Sequence, residues 1–180
     1  MPAIISLPDL FEDMLKDIYY AEKKILKALP KMSKKLGKQS KLAAAFDKHC
    51  LETEGQVERL EQVFRLINKA PKAKKCDAIE GLTAEADELM KNVECQATLE
   101  AGLLAGAQAV EHYEIARYGT LIAWAKLLDL DEAADLLEET LDQEKKTDDT
   151  LNDMAEDEIN EKALEAAHQT REERKQKKAA

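Results

Sequence analysis

Little in this 180-residue chain can cross-link it, interrupt its helices or carry it across a membrane. The three cysteines, Cys50, Cys76 and Cys95, are odd in number and lack the CxxC spacing of a zinc or redox site, so they read as reduced thiols. Glycine (6) and proline (4) are scarce and aromatics make up 4%, a composition that favours long helices over a sheet. No apolar run approaches the roughly 18 residues needed to span a bilayer. The opening MPAIISLPDLFEDML has no basic segment followed by an apolar one, which predicts a cytoplasmic protein without a membrane partner. Positive charge is also short, with 27 Lys and Arg against 37 Asp and Glu, and a net charge of -10 argues against nucleic acid as a partner. Only RKQKK, near the C-terminus, is locally basic.

What is present is helix-forming alanine, leucine, lysine and glutamate in amphipathic order. Ser6 can cap a first helix, with Pro8 tolerated in the opening turn, that runs to about Leu36 and stops at Gly37. Ser40 begins a second, which lasts to about Asn68. After KAPKAKK, the stretch CDAIEGLTAEADELMKN reads as one or two short helical turns lying across the others. A third long helix runs from about Thr98 to Leu128, and a fourth from Asp131 to about Glu156. Four such apolar stripes can be buried only against one another, which predicts an all-α four-helix bundle. The short joints at Gly37 to Gln39 and Asp129 to Leu130 make two helical hairpins, and the segment 69–97 is a long crossover with a short accessory helix. That layout is ferritin-like. Residues 1–156 are expected to form this domain, and 157–180 a charged, mobile tail.

Rotation by about 100° per residue locates polar groups inside the stripes. Glu22 falls on the inner face of the first helix with Ile18 and Ile25. His49, Thr53 and Gln56 lie inside the second stripe, with Glu52 on its flank and Glu54 turned to solvent. Glu111 is central in the third, Glu114 is at its edge, and His112 is about 100° off the line. Glu144 and Asp148 join Leu137 and Leu141 in the fourth. One acid at a stripe edge is most simply a glutamate whose carboxylate reaches water. Acids on all four helices near mid-length are costly unless protons or a cation neutralise them, and a divalent metal does so with oxygen ligands.

The blocks LFEDMLKDIYYAEKKILKALPKM, HCLETEGQVERLEQVF, CDAIEGLTAEADEL, AQAVEHYEIARYGTL and LLEETLDQEKKTDDTL, in order from Leu10 to Ala155, resemble the YciE/YciF-type ferritin-like stress proteins, nearer the YciF branch. The resemblance implies a dimeric ferritin-like bundle tied to bacterial stress responses, with a dinuclear metal site and no settled reaction. It implies as site residues Glu22, Glu52, Gln56, Glu111, Glu114, Glu144 and Asp148, on the faces that rotation selects independently.

One departure stands out. Di-iron bundles pair a Glu with a His three residues on, whereas Gly55 follows Glu52 and Thr147 follows Glu144. An all-oxygen shell favours manganese, magnesium or calcium over iron. The expectation is one or two divalent ions per chain, iron or manganese first, with magnesium, calcium and zinc as alternatives. His49 reads first as a hydrogen-bonded core residue, and otherwise as a ligand or a carboxylate's partner; His112 reads as a surface residue. Tyr118, two turns after Glu111, is the tyrosine best placed to meet a site carboxylate. Three functions remain open: a metal-binding stress protein, a metal-dependent oxidase or peroxide-consuming enzyme at the same site, and a metal-free dimeric structural protein.

Overall fold

The computed structural model describes residues 4–179, with side chains described for 4–169. Among these residues helix is the only regular secondary structure. Helix α1 spans Leu7–Leu36, α2 Lys41–Leu66, α3 Asp77–Asn92, α4 Gln96–Leu127 and α5 Asp131–Met154. A π turn, Ala155–Ile159, leads into α6, Asn160–Ala179. None of the helices is long and apolar enough to cross a membrane.

Local chemistry sets the ends. Ser6 Oγ accepts from Asp9 N at 3.3 Å while the Asp9 carboxylate accepts from Ile5 N, a reciprocal cap that satisfies two otherwise orphaned amides at the start of α1. Ser40 does the same for α2, accepting from Ala43 N at 3.0 Å. α1 stops where Gly37 takes φ +84°, and the Gly37 amide closes back on Ser33 O at 3.0 Å. That backbone region is open to glycine almost alone.

Packing follows the stripes. α1 lies along α2 and α4 along α5; α1 also meets α4, α2 meets α5, and α3 lies against α1 and α4. α4 therefore has neighbours on several sides, α6 included, which explains why apolar residues surround it. Each long helix repeats one layered order. Leu15 and Ile18 precede Glu22, and Ile25 and Leu29 follow it; Leu42 and Phe46 precede His49, and Leu60 and Phe64 follow Gln56. Leu103 and Leu104 precede Glu111, and Tyr118 and Leu121 follow Glu114; Leu137 precedes Glu144 and Leu151 follows it. Each fully buried Leu, Ile or Phe stabilises the fold by ~1.5–3 kcal/mol. Two apolar layers thus enclose one polar layer.

Two segments differ from expectation. The crossover holds a single 16-residue helix rather than one or two short turns, because Ile79, Thr83 and Ala86 form a stripe that is buried against α1 and α4. It is also tethered: Lys74 Nζ pairs with Asp13 at 2.6 Å, and Tyr20 and Lys24 both reach Glu80 Oε1 at 2.6 Å. The fourth helix, expected to last to about Glu156, instead passes through the π turn into α6. Buried Leu151, Ala155 and Ile159 recur every four residues, a spacing that drifts by about 40° per step in a regular α-helix. The widened turn, in which the Asn160 amide reaches back five residues to Ala155 O, takes up that drift. Of the charged segment 157–180 expected to be mobile, the side chains of 170–180 lie outside the described residues.

Candidate metal centre

The polar layer brings four helices to one point. His49 from α2, Glu111 and Glu114 from α4 and Glu144 from α5 each place a ligand atom within 4.8 Å of all the others, and all four residues are buried. Glu22, wholly buried on α1, lies beside Glu114 and faces Glu144. Gln56 is equally buried. Its Nε2 donates to Gln143 Oε1 at 3.3 Å, which leaves Oε1 without a donor. Glu52 and Asp148 are on the rim instead of in the cluster. Glu52 pairs with Lys48 at 2.8 Å, and Asp148 Oδ2 meets His112 Nε2 at 3.2 Å and Asn152 Nδ2 at 3.4 Å. His112 itself is exposed, as its rotation indicated.

Burial governs the charge states. Desolvation, reinforced by Glu144, pushes the Glu22 carboxyl well above the usual range against the pull of Tyr118 and Arg59. Desolvation raises Glu111 to about 8, and it raises Glu114 and Glu144 well above 4.5 with help from their acidic neighbours. It lowers His49 to about 4, so its ring is neutral near pH 7 with one nitrogen lone pair free. The 3.3 Å approach of His49 Nε2 to Glu111 Oε1 is accordingly no ion pair near neutrality, and it lies outside hydrogen-bond geometry.

Among the described residues, every buried side-chain nitrogen or oxygen without a hydrogen-bond partner belongs to this layer: Glu22 Oε2, both ring nitrogens of His49, Gln56 Oε1, Glu111 Oε2, both oxygens of Glu114 and of Glu144, and Asp148 Oδ1. Buried polar atoms elsewhere in proteins are almost always paired, because leaving one unpaired costs ~1–3 kcal/mol. Ligand atoms converging in this way fit a cation, and the set of one imidazole and several carboxylates suits a divalent transition metal.

Sequence reasoning undervalued two residues. His49 is not a hydrogen-bonded core residue, since neither ring nitrogen has a partner. Its place on the inner face was legible, but its ring's environment depends on α4 across the interface. Arg59 carried no local signal. Its guanidinium reaches from α2 to α5, donating through Nε to Thr140 Oγ1 at 2.9 Å and through Nη2 to Gln143, and its charge favours ionised Glu22 and Glu144. Tyr118 behaves as anticipated, with its buried hydroxyl donating to Glu22 Oε1.

Two clefts reach the cluster. One of about 40 Å³ has Lys48, Glu52, Thr147 and Thr150 among its walls and touches His49 and Glu111. The other, of about 30 Å³, touches the same two residues but runs between α1, α3 and α4.

Comparison with known proteins agrees with the resemblance read from the sequence. The profile described as domain of unknown function DUF892 matches residues 6–164. Protein YciF of Escherichia coli (strain K12) is 45% identical over 159 residues, covering 88% of this chain and 95% of the relative. The crystal structure of that E. coli stress protein superposes with a TM-score of 0.81 at 43% identity, over 87% of this chain and 99% of the other. YcfI from Rhodopseudomonas palustris, whose description proposes a structural role, gives 0.81 at 45% identity over 84% and 96%. A Xanthomonas campestris protein at 23% identity and TM-score 0.72 shares the fold alone.

Proposed function

This chain belongs to the DUF892 family, and on that premise we propose that it is a ferritin-like, cytoplasmic stress protein whose four long helices bind a divalent metal centre. The observation that carries the reading is the confinement, among the described residues, of every partnerless buried side-chain nitrogen or oxygen to one layer, to which four helices contribute. His49, Glu111, Glu114 and Glu144 would hold a first ion. Glu22 and Gln56, with carboxylates shared from that set, supply donors for a second. Glu52 and Asp148 stand at the rim, near enough to line the approach. The neutral imidazole restores part of the affinity for iron that an all-oxygen shell would lack, so iron and manganese lead over magnesium, calcium and zinc. When bound, such ions supply Lewis acidity and one-electron redox chemistry.

The reading is supported by the chemistry of the donor set and by kinship with a protein described as a stress protein. Its test is elemental analysis of protein purified without chelator, with thermal melts in added Mn(II) or Fe(II). Bound metal and a raised Tm are expected, because a ligand that binds only the folded state stabilises it. No metal and no shift would remove the reading. A structural role then remains, favoured by the raised carboxyl pKa values that keep the acids neutral. Homodimer assembly is part of the proposal, and sedimentation at micromolar concentration that finds only monomer would refute it. Consumption of oxygen or peroxide that disappears in Glu111→Ala would make the centre an enzyme.

A further inference from the structure

Arg59 of α2 stands beside an acidic layer, yet its hydrogen bonds across to α5 end on neutral acceptors. Nε donates to Thr140 Oγ1 at 2.9 Å, and Nη2 donates to Gln143 Oε1. The same Gln143 oxygen also accepts from Gln56 Nε2 at 3.3 Å. Gln56, one turn before Arg59, is wholly buried, and its other polar atom, Oε1, has no donor. Three side chains from two helices therefore run in series from a fixed cation to a partnerless oxygen in the polar layer.

We propose that Arg59 is a positioning residue which, through Gln143, fixes the Gln56 side-chain amide with its nitrogen held away from the cluster and its carbonyl oxygen turned toward it. Polarity passes along the series. A guanidinium has only donors, so the atom of Gln143 that meets it must be the carbonyl oxygen. That oxygen only accepts, so the atom of Gln56 that meets it must be the amide nitrogen. The two ends of a primary amide have nearly the same shape, and hydrogen bonding alone chooses between them. Thr140, 1% exposed, holds the guanidinium in place through Nε. With the amide reversed, an NH2 group would point at the carboxylates and donate to them, and it would be no ligand for a divalent ion. Arg59 thus decides whether α2 offers the layer an oxygen ligand or a hydrogen-bond donor at this position. Its charge has a separate and opposite effect, since it repels an arriving cation. The inference rests on the metal reading for what the oxygen meets, but not for the orientation of the amide.

The orientation is read by NMR on chelator-treated full-length protein. The Gln56 amide protons should show nuclear Overhauser cross-peaks to the γ-methylene protons of Gln143. These should be lost in Arg59→Met, which keeps the length of the side chain and removes its donors, and kept in Gln143→Glu, whose carboxylate accepts from both neighbours. Mn(II) binding is read by titration calorimetry. Its Kd should rise about tenfold or more in Arg59→Met, the usual effect of losing a group that orients a ligand, and should not rise in Gln143→Glu. In a Gln56→Leu background Arg59→Met should weaken binding no further, because the amide through which it acts is gone. Gln143→Leu breaks the series at its next link and should weaken Mn(II) binding in the same way, which serves if Arg59→Met does not fold. Gln56 amide protons that face the acid layer in the wild type would overturn the proposal. So would tighter Mn(II) binding in Arg59→Met, or equal weakening with and without Gln56, since the arginine would then act by charge or packing. Cross-peaks without Mn(II) binding would remove the metal reading and leave the amide fixed; Mn(II) binding without cross-peaks would do the opposite.

Discussion

Replacing Glu111 by glutamine should make the metal-free protein more stable while removing its response to metal. Glu111 is 2% exposed, and its carboxyl titrates near 8 in the folded chain against an ordinary 4.5 when unfolded. Below pH 4.5 both states hold the proton and the residue makes no difference to stability. Between 4.5 and 8 only the folded chain holds it, so the unfolded state gains from ionisation and stability falls by ~1.4 kcal/mol per pH unit. At pH 7 the accumulated loss is about 3 kcal/mol, and above pH 8 it is complete. Glutamine has the shape of the protonated acid but cannot ionise in either state, so Glu111→Gln should recover about 3 kcal/mol at pH 7 and almost nothing at pH 4.5. An ion at about a hundred times its Kd stabilises the wild type by ~2.7 kcal/mol, so the loaded wild type should roughly equal the metal-free variant. Urea unfolding of chelator-treated protein at both pH values, with and without Mn(II), measures all four quantities. A variant less stable than the wild type at pH 7 without metal would refute the reasoning, since it would mean that the carboxyl is satisfied inside the protein.

Two further substitutions test neighbouring claims. Tyr118→Phe removes the hydroxyl that donates to buried Glu22 and should destabilise the metal-free protein by ~1–3 kcal/mol, read as a lower urea midpoint at unchanged slope; no change would mean that Glu22 has another donor. Gly37→Ala places a side chain at φ +84° and ψ 163° and should cost ~1–3 kcal/mol in the same assay, although a Cβ there would touch nothing, and a neutral result would show that the turn can relax.

The helices and their inward acids were legible because both depend on periodicity. Ser6, Gly37 and Ser40 mark ends by side-chain or backbone properties that act within a few residues, and they do mark them. Glu22, Glu111 and Glu144 interrupt apolar stripes, and the interruption lies at one level of the fold. What escaped reading depends on a distant partner. α3 contains Gly81 and few large residues, so its continuity rests on the groove between α1 and α4. The π turn answers a four-residue spacing that an isolated helix would not need to honour. Arg59 acts 81 and 84 residues away, through Thr140 and Gln143. His49 was placed on the correct face, but what its ring would find there was set by α4.

Three arrangements can keep several acids inside a helical core, and they leave different traces. Glutamates that pack their methylenes and extend their heads to water would be partly exposed, whereas Glu22, Glu114 and Glu144 are each 0% exposed. A structural hydrogen-bond network would supply donors, yet the donors at hand are few: Tyr118 on Glu22, and Arg59 held by Thr140 and Gln143. Protons alone would neutralise the carboxyls, and Glu22 with Glu114 or Glu111 with Glu144 lie close enough to share one. That solution still leaves the His49 nitrogens and Gln56 Oε1 without partners in the same layer. Protonation answers the charge of the acids, and it reaches the lone pairs of His49 and Gln56 only through a carboxyl hydroxyl turned toward them, as Glu111 Oε1, 3.3 Å from His49 Nε2, is placed to provide. A multivalent cation answers both, because it accepts lone pairs from imidazole, amide and carboxylate alike. A metal layer and an acid layer therefore differ in what meets the neutral donors, an ion in the first and carboxyl hydroxyls in the second.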